Sequence, residues 1–168
     1  MTKIIGIIVA VLATFACSSS DDSGSGAGST GDFCADLCRK DHACDQSVDL
    51  QTCRKSCETS FASAEGKLRA DFLTGVSSCY ASSDCATILE EGALGSCASE
   101  TEASLAPSMQ GTSFCKKYSA AVDKCGGTFN KTSCLSFAKT TSDPALLDAE
   151  ACLGKACTSV DACVDATL

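Results

Sequence analysis

Residues 33–61 read FCADLCRKDHACDQSVDLQTCRKSCETSF, and this stretch decides the fold. A helix advances about 100° per residue, so Phe33, Cys34, Leu37, Cys38 and Cys44 share one arc of roughly 140°. Leu50, Cys53, Cys57 and Phe61 form a second, tighter stripe. Each stripe predicts an amphipathic helix, and the two together predict an antiparallel hairpin. Phe114, Cys115, Tyr118, Val122 and Cys125 repeat the first pattern. Asp143-Pro144 reads as a helix cap followed by proline at the first helical position. Alternating β-branched runs are nearly absent. The expected fold is all-α, with three or four short helices in each half of the chain.

The halves are defined by their cysteines. Phe33-Cys34 opens one and Phe114-Cys115 opens the other. From each leading cysteine the next shared ones lie 10 and 19 residues on: Cys44 and Cys53, then Cys125 and Cys134. Three more close each half, Cys79, Cys85 and Cys97 against Cys152, Cys157 and Cys163. These intervals predict an internal repeat, hence two tandem disulfide-stapled bundles. The expected organisation is repeat 1 over 32–99, a connector over 100–112 containing Pro107 and Gly111, and repeat 2 over 113–168.

The chain has 15 cysteines in 168 residues, no tryptophan and a net charge of -8. Such cysteine usage marks an oxidised scaffold in a compartment outside the cytoplasm. Halves of this size make marginal cores, so crosslinks take the place of missing apolar bulk. The acidic balance argues against nucleic acid as a partner, because phosphate neutralisation needs clustered Lys and Arg.

Residues 1–16 carry Lys3 and then an apolar run from Ile4 to Phe15. The run is too short to span a membrane, which takes about 20 residues, and suits an export signal. It ends at Ala16-Cys17, followed by Ser18-Ser19-Ser20. This start resembles a bacterial lipoprotein precursor, although Thr14 and Phe15 depart from that family's pattern. The resemblance implies cleavage before Cys17, lipidation of Cys17 and, with Ser18 rather than Asp after it, the outer membrane. Removing Cys17 leaves 14 cysteines, an even number that can pair completely. Residues 17–31 are then the lipidated cysteine and a flexible Ser/Gly tether with a span of about 20 Å. With its cysteine-rich helical remainder, the whole resembles cysteine-rich lipoproteins of Gram-negative bacteria.

The repeat suggests a pairing. The first half has two extra cysteines, Cys38 and Cys57, whose aligned positions in the second half hold Ser119 and Ala138. A bridge missing as a whole from the second half would be Cys38–Cys57. The same hairpin register then accommodates Cys44–Cys53, with Cys125–Cys134 as its equivalent. A helical segment over 85–97 rises about 18 Å, too far for a Cys85–Cys97 bond. An up-down layout favours Cys34–Cys97, Cys79–Cys85, Cys115–Cys163 and Cys152–Cys157. Against this, Cys34-x3-Cys38 and Cys53-x3-Cys57 resemble the twin CX3C hairpins of small mitochondrial import chaperones. That resemblance implies Cys34–Cys57 and Cys38–Cys53 instead.

No Cys-x-x-Cys, Gly-x-Ser-x-Gly or zinc-ligand spacing occurs, so no catalytic residue, metal or cofactor is expected. His42 reads as a surface residue on the polar side of the first helix. Asp41, Asp45 and Asp49, spaced by four, read as a solvated face, since an EF-hand needs acids two apart with a glycine turn. Asn130-Lys131-Thr132 fits a glycosylation sequon and is read as incidental. The expected function is a lipid-anchored binding or structural module, with the membrane and an envelope or extracellular molecule as partners. The alternatives are an enzyme with an unrecognised site and an extracytoplasmic metal-binding protein.

Overall fold

The computed structural model describes residues 29–167. The expectations for the signal, for Cys17 and for the tether up to residue 28 lie outside the described residues. Within them the chain forms nine α-helices and two 3-10 turns. The β pairing among them is a single isolated bridge between Leu68 and Thr141. The chain divides into two compact units, residues 29–65 with 70–104 and residues 66–69 with 105–167.

The first unit opens with α1 (Thr30–Cys44) and α2 (Leu50–Phe61). Ser29 starts α1 by accepting the Asp32 N–H, so helix begins inside the stretch expected to be tether. Asp49 starts α2 in the same way, accepting from Thr52 N–H. Side-chain caps of this kind satisfy N–H groups that have no partner within the helix. Phe33, Cys34, Leu37 and Cys38 are buried on α1, and Cys53, Cys57 and Phe61 on α2. The Phe33 and Phe61 rings meet edge to face at 5.3 Å. The hairpin packs through α1 on α3 (Ala70–Ser82), and α3 packs on α5 (Ala93–Ser104). Between them lies the single-turn α4 (Cys85–Ile88), capped by Asp84. A Cβ built at Gly75 on α3 would lie 2.4 Å from Thr101 Cγ2. Glycine there is what allows the backbones of α3 and α5 to approach.

Seven disulfides staple the described residues, and their pattern corrects the pairing inferred from the repeat. In the hairpin the bonds are Cys34–Cys57 and Cys38–Cys53, with Cα separations of 5.6 and 5.7 Å. Neither Cys38–Cys57 nor Cys44–Cys53 forms. Residue numbers add to 91 in both hairpin bridges, as an antiparallel pair requires, so the constant-sum reasoning held and its register did not. Cys44 ends α1 beyond the hairpin and bonds Cys85 at the start of α4. Cys79 on α3 bonds Cys97 on α5. Cys34–Cys97 and Cys79–Cys85 are therefore absent: Cys34 is spent in the hairpin, and Cys79 faces the next helix rather than the α3–α4 turn.

The second unit contains α6 (Met109–Lys124), α7 (Lys131–Thr140), α8 (Asp143–Glu150) and α9 (Cys157–Thr167). The expected connector shrinks to residues 105–108, because α5 runs to Ser104 and α6 starts at Met109. Ser108 caps α6, accepting from Gly111 N–H, and donates to Asp143 at 2.5 Å. The cap of α8 is Ser142 rather than Asp143. The Ser142 hydroxyl also donates to the Gly66 carbonyl at 2.6 Å, while its N–H donates to Lys67 O. Phe114, Leu146, Ala138 and Ala149 form the driest part of this core, each at most 1 % exposed.

Its bridges are Cys115–Cys134, Cys125–Cys157 and Cys152–Cys163. The expected Cys125–Cys134, Cys115–Cys163 and Cys152–Cys157 do not form. Cys125 follows α6 past the end of the α6–α7 contact and meets the start of α9, while Cys152 lies beneath α9 and meets Cys163 there. By their order in each half, Cys125–Cys157 joins the positions matching Cys44–Cys85, and Cys152–Cys163 those matching Cys79–Cys97. The hairpin bridge differs. Cys115–Cys134 joins the positions matching Cys34 and Cys53, which have separate partners in the first unit.

This corrected pattern makes a test of pairing. The variant Cys38→Ser/Cys57→Ala removes one member of each hairpin bridge and strands Cys34 and Cys53. With four residues of axial offset, about 6 Å, their Cα atoms lie roughly 8 Å apart, beyond the usual disulfide reach. Two alkylatable thiols are expected. The variant Cys38→Ala/Cys53→Ala removes one whole bridge and should show none, at a cost of about 2–4 kcal/mol. Alkylation followed by intact mass separates the two; equal thiol counts would contradict the observed pairing.

Candidate functional site: an acidic cleft in the first unit

In α1, Phe33 and Leu37 set an i, i+4 stripe whose next member is Asp41. The helix therefore carries a carboxylate into the edge of its apolar face. Tyr80 on α3 meets it, its hydroxyl donating to Asp41 Oδ1 at 2.7 Å. Both residues line a cleft of about 390 Å³. Leu37, Val48, Phe61 and Ile88 supply apolar wall, and the Cys38–Cys53 bridge lies along it. The lip is the segment 89–92, with Leu89 64 % exposed. Gly92 has φ +94°, a conformation that L side chains rarely adopt, and so permits the turn into α5.

The charge of the cleft has one sign. Asp41, Asp45, Glu90 and Glu91 line it, and no Lys or Arg does. Burial pushes the Asp41 carboxyl above its ordinary value of 3.8, and the Tyr80 hydrogen bond offsets only part of this. The folded chain therefore holds that proton more tightly than the unfolded chain, and ionising Asp41 costs stability. Stability therefore falls as pH rises from the unfolded pKa through the folded one, and the cost is fully present above both. A carboxyl group set beside an apolar cleft wall, where burial disfavours its charge, is a candidate functional group. Asp45 behaves oppositely: its side chain accepts from the Ser47 hydroxyl and N–H, which lower its pKa.

The second unit holds a second Tyr–Asp pair with the same donor and acceptor. Tyr118 on α6 donates to Asp161 Oδ1 on α9 at 2.7 Å. Burial and then this bond with Asp161 push the phenol far above its ordinary value of 10. Here the ring is stacked on Phe114 and edge-on to Phe129, so it belongs to the core, while Asp161 itself is exposed.

No protein-family model, curated protein or solved structure matches this chain.

Several residues singled out in the sequence have local tasks. The His42 Nδ1–H donates to Val48 O at 2.7 Å, tying the α1–α2 turn, and the ring is half-buried. Asn130 caps α7 through its Oδ1 and the Ser133 N–H. Asp49 caps α2. The three acids read as one solvated face thus split into a cleft carboxylate, a turn and a cap. Asp41 was missed because its spacing was weighed only against Asp45 and Asp49; its place on the Phe33–Leu37 stripe was the available signal. Tyr80 lies 39 residues away, and nothing local pairs it with Asp41. Cys17 lies outside the described residues. Among those described, no helix is long and apolar enough to cross a membrane, and no group of three His, Cys, Asp or Glu could hold a metal ion.

Proposed function

We propose that this chain is an exported binding module, lipid-anchored at Cys17 to the outer membrane of a Gram-negative bacterium. The observation that carries the reading is the cysteine balance. All 14 cysteines among the described residues are held in the seven disulfides, and the sequence contains 15. The one outside them is Cys17, at the end of the apolar leader. Full pairing fits an oxidising compartment, and the cysteine next to Ala16 fits the lipid anchor. The cleft favours binding over a purely structural role, because it sets a costly carboxylate on an apolar wall open to solvent.

The test is anchoring. Cys17→Ala is expected to abolish incorporation of radiolabelled fatty acid and to move the protein from the membrane fraction to the soluble one. A variant that stays with membranes through a high-salt wash would remove the lipoprotein reading.

A further inference from the structure

We infer that the first-unit cleft binds a small organic cation, a protonated amine carried on an apolar, ring-sized body. The inference rests on the binding-module reading and names the ligand class for that site.

Its volume of about 390 Å³ falls at the lower end of small-molecule sites, which run about 300–1,000 Å³. A cleft of that size takes one ring with a short chain, whereas a folded partner would need a broad face. The walls offer Leu37, Ile88 and the Phe61 side chain to such a body. The charge then sets the sign. Asp41 on the wall and the exposed Asp45, Glu90 and Glu91 at the rim carry one sign of charge with no cationic side chain among them, so a cation is favoured over an anion. An ammonium can pair with Asp41 and approach the Tyr80 and Phe61 rings, whose π faces also attract cations.

Asp41 is prepared for that contact on one side only. Its Oδ1 accepts from Tyr80. The neighbour of Oδ2 is Cys53 Sγ at 3.9 Å, and that sulfur is oxidised in the Cys38–Cys53 bridge. It carries no hydrogen to donate. Oδ2 therefore retains its acceptor capacity in a partly desolvated place, where a charge-assisted N–H···O bond is stronger than in water. The Cys38–Cys53 disulfide holds α1 against α2 at this point. A ligand therefore meets a preformed wall and does not have to order one. A metal ion fits less well, since hard cations need several oxygen ligands on one centre.

The experiment uses the oxidised full chain and two isosteric probes, phenethylammonium and the neutral 2-phenylethanol, titrated at physiological salt and followed by amide NMR. Phenethylammonium should shift signals of residues 37–41, 80 and 88–92, with the alcohol at least tenfold weaker. Asp41→Asn keeps the side-chain size and an acceptor for Tyr80. It should lower the affinity for the amine at least tenfold and leave the alcohol unchanged. Asp148→Asn, an exposed acid of the second unit, should change neither. Equal affinity for the two probes, an unaffected Asp41→Asn variant, or shifts spread over all acidic surface would overturn the inference. So would an acetylated Phe-Lys amide that binds where phenethylammonium does not, since the site would then read peptides. A failed titration alongside lipid-labelled Cys17 would remove the ligand class and leave the anchoring intact.

Discussion

Reduction without denaturant should unfold both units, with loss of most of the helical circular dichroism and a mass gain of about 14 Da, two hydrogens for each of seven bridges. A disulfide typically contributes about 2–4 kcal/mol, and a whole domain is stable by only about 5–15 kcal/mol. The first unit holds four bridges and the second three. Their sum matches or exceeds what cores of this size can retain without them. The bridges should open in order. Cys85 and Cys157 are exposed, so Cys44–Cys85 and Cys125–Cys157 are open to attack by a thiolate. Cys34 and Cys38 are 0 and 1 % exposed, so their bridges must wait for the hairpin to open. Alkylation at intermediate times should find Cys44, Cys85, Cys125 and Cys157 modified first. Native-like dichroism in the fully reduced chain would show that the apolar cores suffice alone.

Phe114→Ala should be the most damaging single core substitution, costing about 3–5 kcal/mol, the usual range for removing a buried ring. Phe114 is 1 % exposed on α6 and stacks on Tyr118 at 5.7 Å. Its ring centre is 6.5 Å from that of Phe137 on α7. The unit is crosslinked by Cys115–Cys134 beside this point, so the helices cannot collapse freely into the space. A cavity that cannot close adds to the lost transfer energy. Denaturant unfolding should show a lower midpoint with an unchanged slope. A loss below about 1 kcal/mol would mean that the ring is not central to the packing.

The helical character and the oxidised state were legible in residues 33–61 and in the cysteine count. Both are local or compositional. A 3.6-residue stripe such as Phe33, Cys34, Leu37 and Cys38 buries one face of a helix whatever the helix packs against. Capping is equally local, which is why Asp49 and Asn130 act within three residues of themselves. Even there, the Ser142 cap lay one residue from the place expected.

The hairpin pairing was legible only through the twin CX3C resemblance, which implied the observed Cys34–Cys57 and Cys38–Cys53, and not through the repeat. The twin CX3C spacing admits Cys34–Cys57 with Cys38–Cys53, and equally admits a register one turn along with Cys38–Cys57. Sliding one helix by a turn, about 5.4 Å, leaves the stripe pattern of each unchanged. Only the packing of Phe33 against Phe61, and of α1 against α3, selects between them. The reach from Cys44 to Cys85 crosses 41 residues and two intervening helices, so no spacing rule encodes it. The cleft belongs to the same class. Sequence by itself determined amphipathic helices and a cysteine-rich, disulfide-bonded chain, because periodicity and composition can be read without knowing how the helices pack. The tertiary structure decided which sulfurs meet, and brought Tyr80 to Asp41 from 39 residues away, because register and helix order are set by side chains packing across elements.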